Sequence, residues 1–240
     1  MEKEQGILVV APPRCGTHMM VDSLAATLQR HSTRISNYSK SFWDHPTVKR
    51  DDAIVGVHTG MHDEKFLEYS KNKKIIIMDR NPIGQALSII SMYNRGIIPD
   101  WDTRHKFDIK ALQKCKPNSQ TFVDYLHSKE FHEYREVIKN WPQYAEVFSY
   151  DKIARDDETE IAQLSNYIGA DFIKKTVKDT KDKYKDGIVF LGDPDLWKTI
   201  ISPNTINKVK DLFDEYDMDT FCNDDKEGNS NFEEIMLQYK

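Results

Sequence analysis

Gly6-Ile7-Leu8-Val9-Val10-Ala11-Pro12-Pro13-Arg14-Cys15-Gly16-Thr17-His18 is the stretch on which the fold turns. Its first six residues are aliphatic or β-branched with no polar break after Gly6, the pattern of a strand buried on both faces, as parallel strands in α/β proteins are. From Thr17 to about Arg30, Met20, Leu24 and Leu28 recur at helical spacing with Val21 and Ala25 beside them. Strand, tight loop and helix therefore follow without a gap. Such a turn aims backbone N–H groups and the positive end of the helix dipole at one point, which suits an anion. Gly16 lets the backbone approach closely, Arg14 adds a positive charge and Thr17 offers a hydroxyl. Taken alone, the segment reads as well as a strand-to-helix turn with an incidental arginine. The ATP-binding loop GxxxxGK[ST] would need glycine at Ala11 and lysine at Thr17, which disfavours an ordinary mononucleotide kinase or ATPase.

The same alternation recurs outward from this point. Ala53 to His58 and Lys74 to Asp79 read as strands, the second leading through Arg80-Asn81-Pro82 into a helix, and Ala145 to Tyr150 reads as a fourth strand. Strands alternating with helices predict an α/β fold: a single domain over residues 1–240, with a central, mostly parallel sheet, helices on both faces and a P-loop-like strand-loop-helix. Ligands of such sheets bind at the carboxyl ends of the strands. Further on, Asp157 opens a helix that stops at Gly169, and Pro203 opens another through Val209, Leu212 and Phe213. Between them, Lys181 to Trp197, with Gly187, Gly192 and Pro194, reads as a long functional loop. The tail, residues 223–240, is polar before a short terminal helix. No internal repeat or low-complexity tract is present.

Bulk composition sets outer bounds. The 240 residues are 39% hydrophobic and 30% charged, the balance of a water-soluble globule. No apolar run approaches the roughly 18–20 residues of a membrane span. The acidic start, Met1 to Gln5, lacks the organisation of a secretory signal, so a cytoplasmic protein is expected. Cys15, Cys115 and Cys222 form no CxxC pair and are expected to be free thiols. A net charge of −5 without a basic arm offers nucleic acid no general attraction, so any phosphate site must be local.

Pro13-Arg14-Cys15-Gly16-Thr17-His18 resembles the first cofactor-binding segment of the sulfotransferase superfamily, P-[KR]-[SC]-G-T-[TSH] after the first strand. The resemblance implies a cytosolic or bacterial small-molecule enzyme that uses 3′-phosphoadenosine-5′-phosphosulfate (PAPS) and releases 3′-phosphoadenosine-5′-phosphate (PAP). It assigns the 5′-phosphosulfate to Arg14, Cys15, Gly16, Thr17 and His18, with Arg14 also catalytic at the leaving oxygen. Arg80-Asn81-Pro82, with Ser88 eight positions after Arg80, resembles the family's 3′-phosphate segment. His58 precedes Arg80 by 22 positions, the spacing of the family's general base, with His62 as the fallback. A neutral imidazole suits that role, since an unperturbed pKa of about 6.5 leaves it mostly deprotonated near neutrality. Phe148-Ser149-Tyr150-Asp151 resembles the segment whose tyrosine lies near the adenine, and Met19 aligns with the family's tryptophan there. Lys183-Tyr184-Lys185-Asp186-Gly187, then Gly192 and Trp197-Lys198, is the nearest match to the segment that closes over the 3′-phosphate. It offers Lys185 and Gly187 as phosphate contacts. Where the family carries a lysine two positions before the base, this chain has Gly56, which leaves Arg14 or the late loop to compensate.

The reaction implied is in-line transfer of a sulfuryl group to a hydroxyl or amine of a small-molecule acceptor, with no metal, no nucleic-acid partner and no membrane span. The acceptor is expected over residues 36–45 and 95–117, where Asp100, Asp102 and Asp108 stand. Nothing in the sequence indicates an oligomeric state. Three other readings stay open: a divergent phosphoryl-transfer enzyme, a nucleotide-binding protein without turnover, and an interaction protein using the scaffold alone.

Overall fold

The computed structural model describes residues 5–35, 40–58, 64–97, 107–139, 145–175 and 193–216. Five strands, β1 (Gly6–Val10), β2 (Ser32–Ile35), β3 (Ile54–Val57), β4 (Lys73–Asp79) and β5 (Ala145–Ser149), form one sheet in the order β2-β3-β1-β4-β5. Every pairing is parallel, with Val9 opposite Gly56 on one side and Ile76 on the other. The fold is α/β, as the alternation of elements predicts. The helices are α1 (Thr17–Leu28), α2 (Lys40–Asp44), α3 (Glu64–Ser70), α4 (Pro82–Asn94), α5 (Ile109–Gln113) and α6 (Gln120–His127). They continue with α7 (Lys129–Lys139), α8 (Tyr150–Ala154), α9 (Glu158–Ile168), α10 (Leu196–Ile200) and α11 (Pro203–Val209). No described helix is long and apolar enough to cross a membrane.

The described residues divide into two compact units, 5–80 with 134–175, and 81–133 with 193–216. The first holds the whole sheet. Successive residues of a strand face opposite ways, so Ile7 and Val9 join one core with Met20, Leu24 of α1 and Leu164, Ile168 of α9. Leu8 and Val10 join another with Phe42 of α2, Phe66 of α3 and Ile138 of α7. Both faces are thereby covered, which is why β1 and β4 read as unbroken apolar runs. In the second unit α4 is buried from Pro82 to Tyr93. Its core joins Ile83, Leu87 and Ile90 to Phe122, Leu126, Trp197 and Phe213. Asn81 caps α4, its Oδ1 accepting from the N–H groups of Ile83 and Gly84 at 3.0 and 3.2 Å, and Pro82 occupies the first turn where its missing N–H costs nothing.

Several elements differ from the sequence reading. β2 is an additional strand, and α5, α6 and α7 occupy ground that carried no expectation of helix. Tyr150 begins α8 instead of ending β5, because Ser149 caps the helix through Lys152. Leu196 begins α10 inside the stretch read as loop, and Trp197 is core. The remainder of that loop and the polar tail lie outside the described residues.

Candidate functional site

At the carboxyl end of β1 the chain makes a tight turn in which the Cys15 N–H donates to the Pro12 carbonyl at 3.2 Å. Arg14 takes φ 69° and Gly16 φ 86°, both in the left-handed region. Glycine holds that conformation without strain, whereas arginine pays about 1 kcal/mol or more. Gly16 is required for a second reason: a Cβ there would stand 2.2 Å from Cδ2 of Tyr150. The helix starts at once, with the Met20 N–H donating to the Gly16 carbonyl at 3.0 Å. Gly16 offers no capping side chain and the first turn carries no acid, so the opening amides of α1 keep their partial positive charge. Exposure alternates along the turn: Arg14, Gly16 and His18 are half-buried, while Cys15, Thr17 and Met19 face inward.

The Cys15 side chain is fully buried and that burial pushes its thiol pKa far up, with Arg135 the largest opposing influence. It is a packing residue, and its amide closes the turn. Met19 packs in the same core as Tyr150. Cys115 is likewise a buried free thiol.

Arg80, the residue after β4, is brought to this loop. Its Nη1 donates to the Arg14 carbonyl at 3.1 Å, which holds the strained residue in place. Its guanidinium lies 4.6 Å from the ring centroid of Tyr150, and its Nε is 3.9 Å from Oδ1 of Asp151. Tyr150, the first residue of α8, thus sits between Gly16 and Arg80. Arg80 is only 4% exposed, so its charge reaches the loop from beneath. A second buried guanidinium supports it: Arg135 of α7 donates from Nη1 to the Arg80 carbonyl and from Nη2 to Oδ1 of Asp79, both at 3.1 Å. Arg135 carried no sequence signal beyond being an arginine on a polar helix.

His58 follows β3 at the same edge. Its Nδ1 lies 3.3 Å from the Ala11 carbonyl and 3.4 Å from Oγ1 of Thr17. A carbonyl only accepts, so Nδ1 carries the proton and Nε2 is the basic nitrogen. Desolvation lowers the His58 pKa to about 4; the Ala11 bond opposes this, and the charges of Arg14 and Arg34 add to it. The ring is therefore neutral well below physiological pH.

Gly56, two residues earlier, has no room for a side chain: a Cβ would lie 2.7 Å from Val21, 3.0 Å from Thr17 and 3.3 Å from Cγ of Arg34. The stem of Arg34, from the strand the sequence did not reveal, passes over this position. Ser88 lies in α4 of the second unit and is buried. Asp108 is committed to capping α5, accepting from the Lys110 N–H at 2.8 Å. Of residues 36–45, Phe42 is core. His62, Asp100, Asp102, Lys185, Gly187 and Cys222 lie outside the described residues. Among the described residues no cluster of three or more His, Cys, Asp or Glu side chains is placed to hold a metal ion.

The geometry defines a class: a parallel α/β protein whose central strand ends in an uncapped, P-loop-like turn, with a neutral histidine and buried arginines gathered at that edge. No family model matches the chain, and no curated protein matches its sequence. Among solved structures it is similar to the mouse sulfotransferase SULT7A1, crystallised in complex with PAP. The TM-score is 0.58, with 16% identity, over 99% of this chain and 90% of that one. At that identity the likeness is one of fold.

Proposed function

We propose that this chain is a PAPS-dependent sulfotransferase acting on a hydroxyl or amine of a small molecule in the cytoplasm. The carrying observation is the His58 to Ala11 hydrogen bond beside the Gly16 turn, which couples a base to an anion cradle at one sheet edge. The cradle fits a phosphate: glycine where a Cβ would collide, and an uncapped helix start whose amides face the turn. The fold of SULT7A1 supports the same reading. When bound, PAPS supplies the sulfuryl group and a phosphate leaving group. Arg14, Gly16, Thr17 and His18 are the residues to hold its 5′ end. Arg80 and Tyr150 set the loop's shape and charge from below. His58 accepts the acceptor's proton at Nε2, and Arg14 opposes negative charge at the leaving oxygen. Rate enhancement then comes from positioning and preorganised charge.

Two measurements test this. Calorimetry should find PAP binding in preference to ATP with Mg²⁺; the reverse order would favour phosphoryl transfer. With labelled PAPS and a metabolite extract, sulfate should be added to an acceptor, and His58→Ala should lower kcat by roughly two to four orders of magnitude with PAP affinity unchanged. PAP binding without any sulfated product would instead identify a nucleotide-binding protein.

A further inference from the structure

β2 places Arg34 in register with Gly56 of β3, and paired residues of parallel strands project from the same face. Because Gly56 leaves that face bare, the Arg34 stem crosses it, with Cγ 3.3 Å from where a Cβ would stand. The guanidinium arrives at α1. There its Nη1 is 2.8 Å from Nδ1 of His18 and 3.5 Å from Oδ2 of Asp22. His18 and Asp22 are one turn apart on the same face of the helix, so Arg34 lies along the first two turns of α1. Its side chain is 22% exposed and that of Asp22 8%, which shields the contact from water. Burial lowers the Arg34 pKa and Asp22 opposes the shift.

A guanidinium has donors and no acceptor, so the His18 nitrogen that faces it accepts and bears no proton. The neutral ring then carries its proton on Nε2. We propose that Arg34 is a positioning residue that fixes His18 as the Nε2–H tautomer, making the second residue of α1 a hydrogen-bond donor to phosphate or sulfate oxygens. The inference rests on the nucleotide reading for its ligand, and on the Arg34 to His18 contact for its tautomer. It gives the two histidines of the edge opposite roles. The Ala11 carbonyl makes His58 an acceptor at Nε2, while Arg34 makes His18 a donor there. Phosphate and sulfate oxygens only accept, so a His18 ring free to adopt the other tautomer would present them a lone pair.

The test reads the tautomer directly. Long-range ¹H–¹⁵N spectra of the wild-type imidazoles near neutral pH, with His18 assigned by its loss in His18→Gln, should show the Nε2–H form. Arg34→Met should convert the signal to a tautomer mixture, and Arg34→Lys should retain part of the wild-type pattern. PAP affinity supplies the second readout. Arg34→Met should weaken it about tenfold, the loss of one charge-supported hydrogen bond. In a His18→Gln background, whose amide donates without any help from Arg34, the same change should cost less than about twofold. An Nδ1–H signal in the wild type, or an equal loss in both backgrounds, would overturn the proposal. The wild-type spectrum decides even if Arg34→Met does not fold. Failure of the wild type to bind PAP would reject the nucleotide reading and the ligand assigned to His18, leaving the tautomer to be judged by the spectrum.

Discussion

The 3.3 Å contact between Nδ1 of His58 and the Ala11 carbonyl ties a titratable ring to the residue that follows β1, and a stability effect follows from its sign. In the unfolded chain the ring titrates near the ordinary histidine value of about 6.5, whereas burial holds the folded pKa at about 4. Above the unfolded pKa both states are neutral and folding takes up or releases no proton at this site. As pH falls below it, the unfolded chain binds a proton that the folded protein refuses, so stability declines until pH reaches the folded pKa. Urea unfolding at pH 7 and pH 5 should show a loss of about 1–2 kcal/mol attributable to this residue. His58→Gln, which has nothing to protonate, should lose correspondingly less over the same interval. Equal losses in the two proteins would mean that the ring is solvated and not desolvated at the sheet edge. The same low pKa bears on catalysis in two ways: it keeps the ring neutral at working pH, and it makes Nε2 a weaker base than an ordinary imidazole, since the favourable pKa for a general base lies near the working pH.

Helix α7 shows how one element steadies another. Arg135 reaches Asp79, the last residue of β4, and the carbonyl of Arg80 just after it, while the Arg80 side chain reaches the Arg14 carbonyl. The two guanidinium groups thus act in series on a backbone conformation that arginine does not adopt unaided. Arg135→Met removes the buried partner of Asp79 and should destabilise by about 3 kcal/mol, the scale for breaking a buried pair. Glu133→Gln, which breaks the exposed Lys129 pair on the same helix, should cost less than about 0.5 kcal/mol. Urea midpoints separate the two, and similar costs would show that the Arg135 contacts carry little weight. The contrast also explains what could be read in advance. β1, β3, β4 and the turn after β1 are legible because burial on both faces forces unbroken apolar runs and the turn forces Gly16. β2 is a four-residue, half-buried edge strand, Ser-Thr-Arg-Ile at positions 32–35, with no such run to announce it. Arg34 and Arg135 act through long side chains reaching across elements, and no local spacing encodes that reach. The late segment around Lys185, read from a match with extra residues between glycine and tryptophan, finds in Trp197 a core side chain.

Each of the two compact units carries its own apolar core, and Arg14, His18, His58, Arg80 and Tyr150 all belong to the one that holds the sheet. A ligand that binds only the folded state stabilises it by RT ln(1 + [L]/Kd), about 2.7 kcal/mol at a hundredfold excess over Kd. The strands that carry the site should register that stabilisation, because amides in a buried sheet exchange only when the unit opens. Hydrogen exchange with PAP at that excess should slow the amides of β1, β3 and β4 by up to about a hundredfold. ATP at the same concentration should slow them less, since the turn lacks the lysine that a triphosphate loop uses at the position of Thr17. Exchange that PAP leaves unchanged throughout β1 and β4 would remove the nucleotide from this edge, and with it the chemistry assigned to His58. Protection by ATP equal to that by PAP would instead mean that the cradle recognises a phosphate without regard to what else the nucleotide carries.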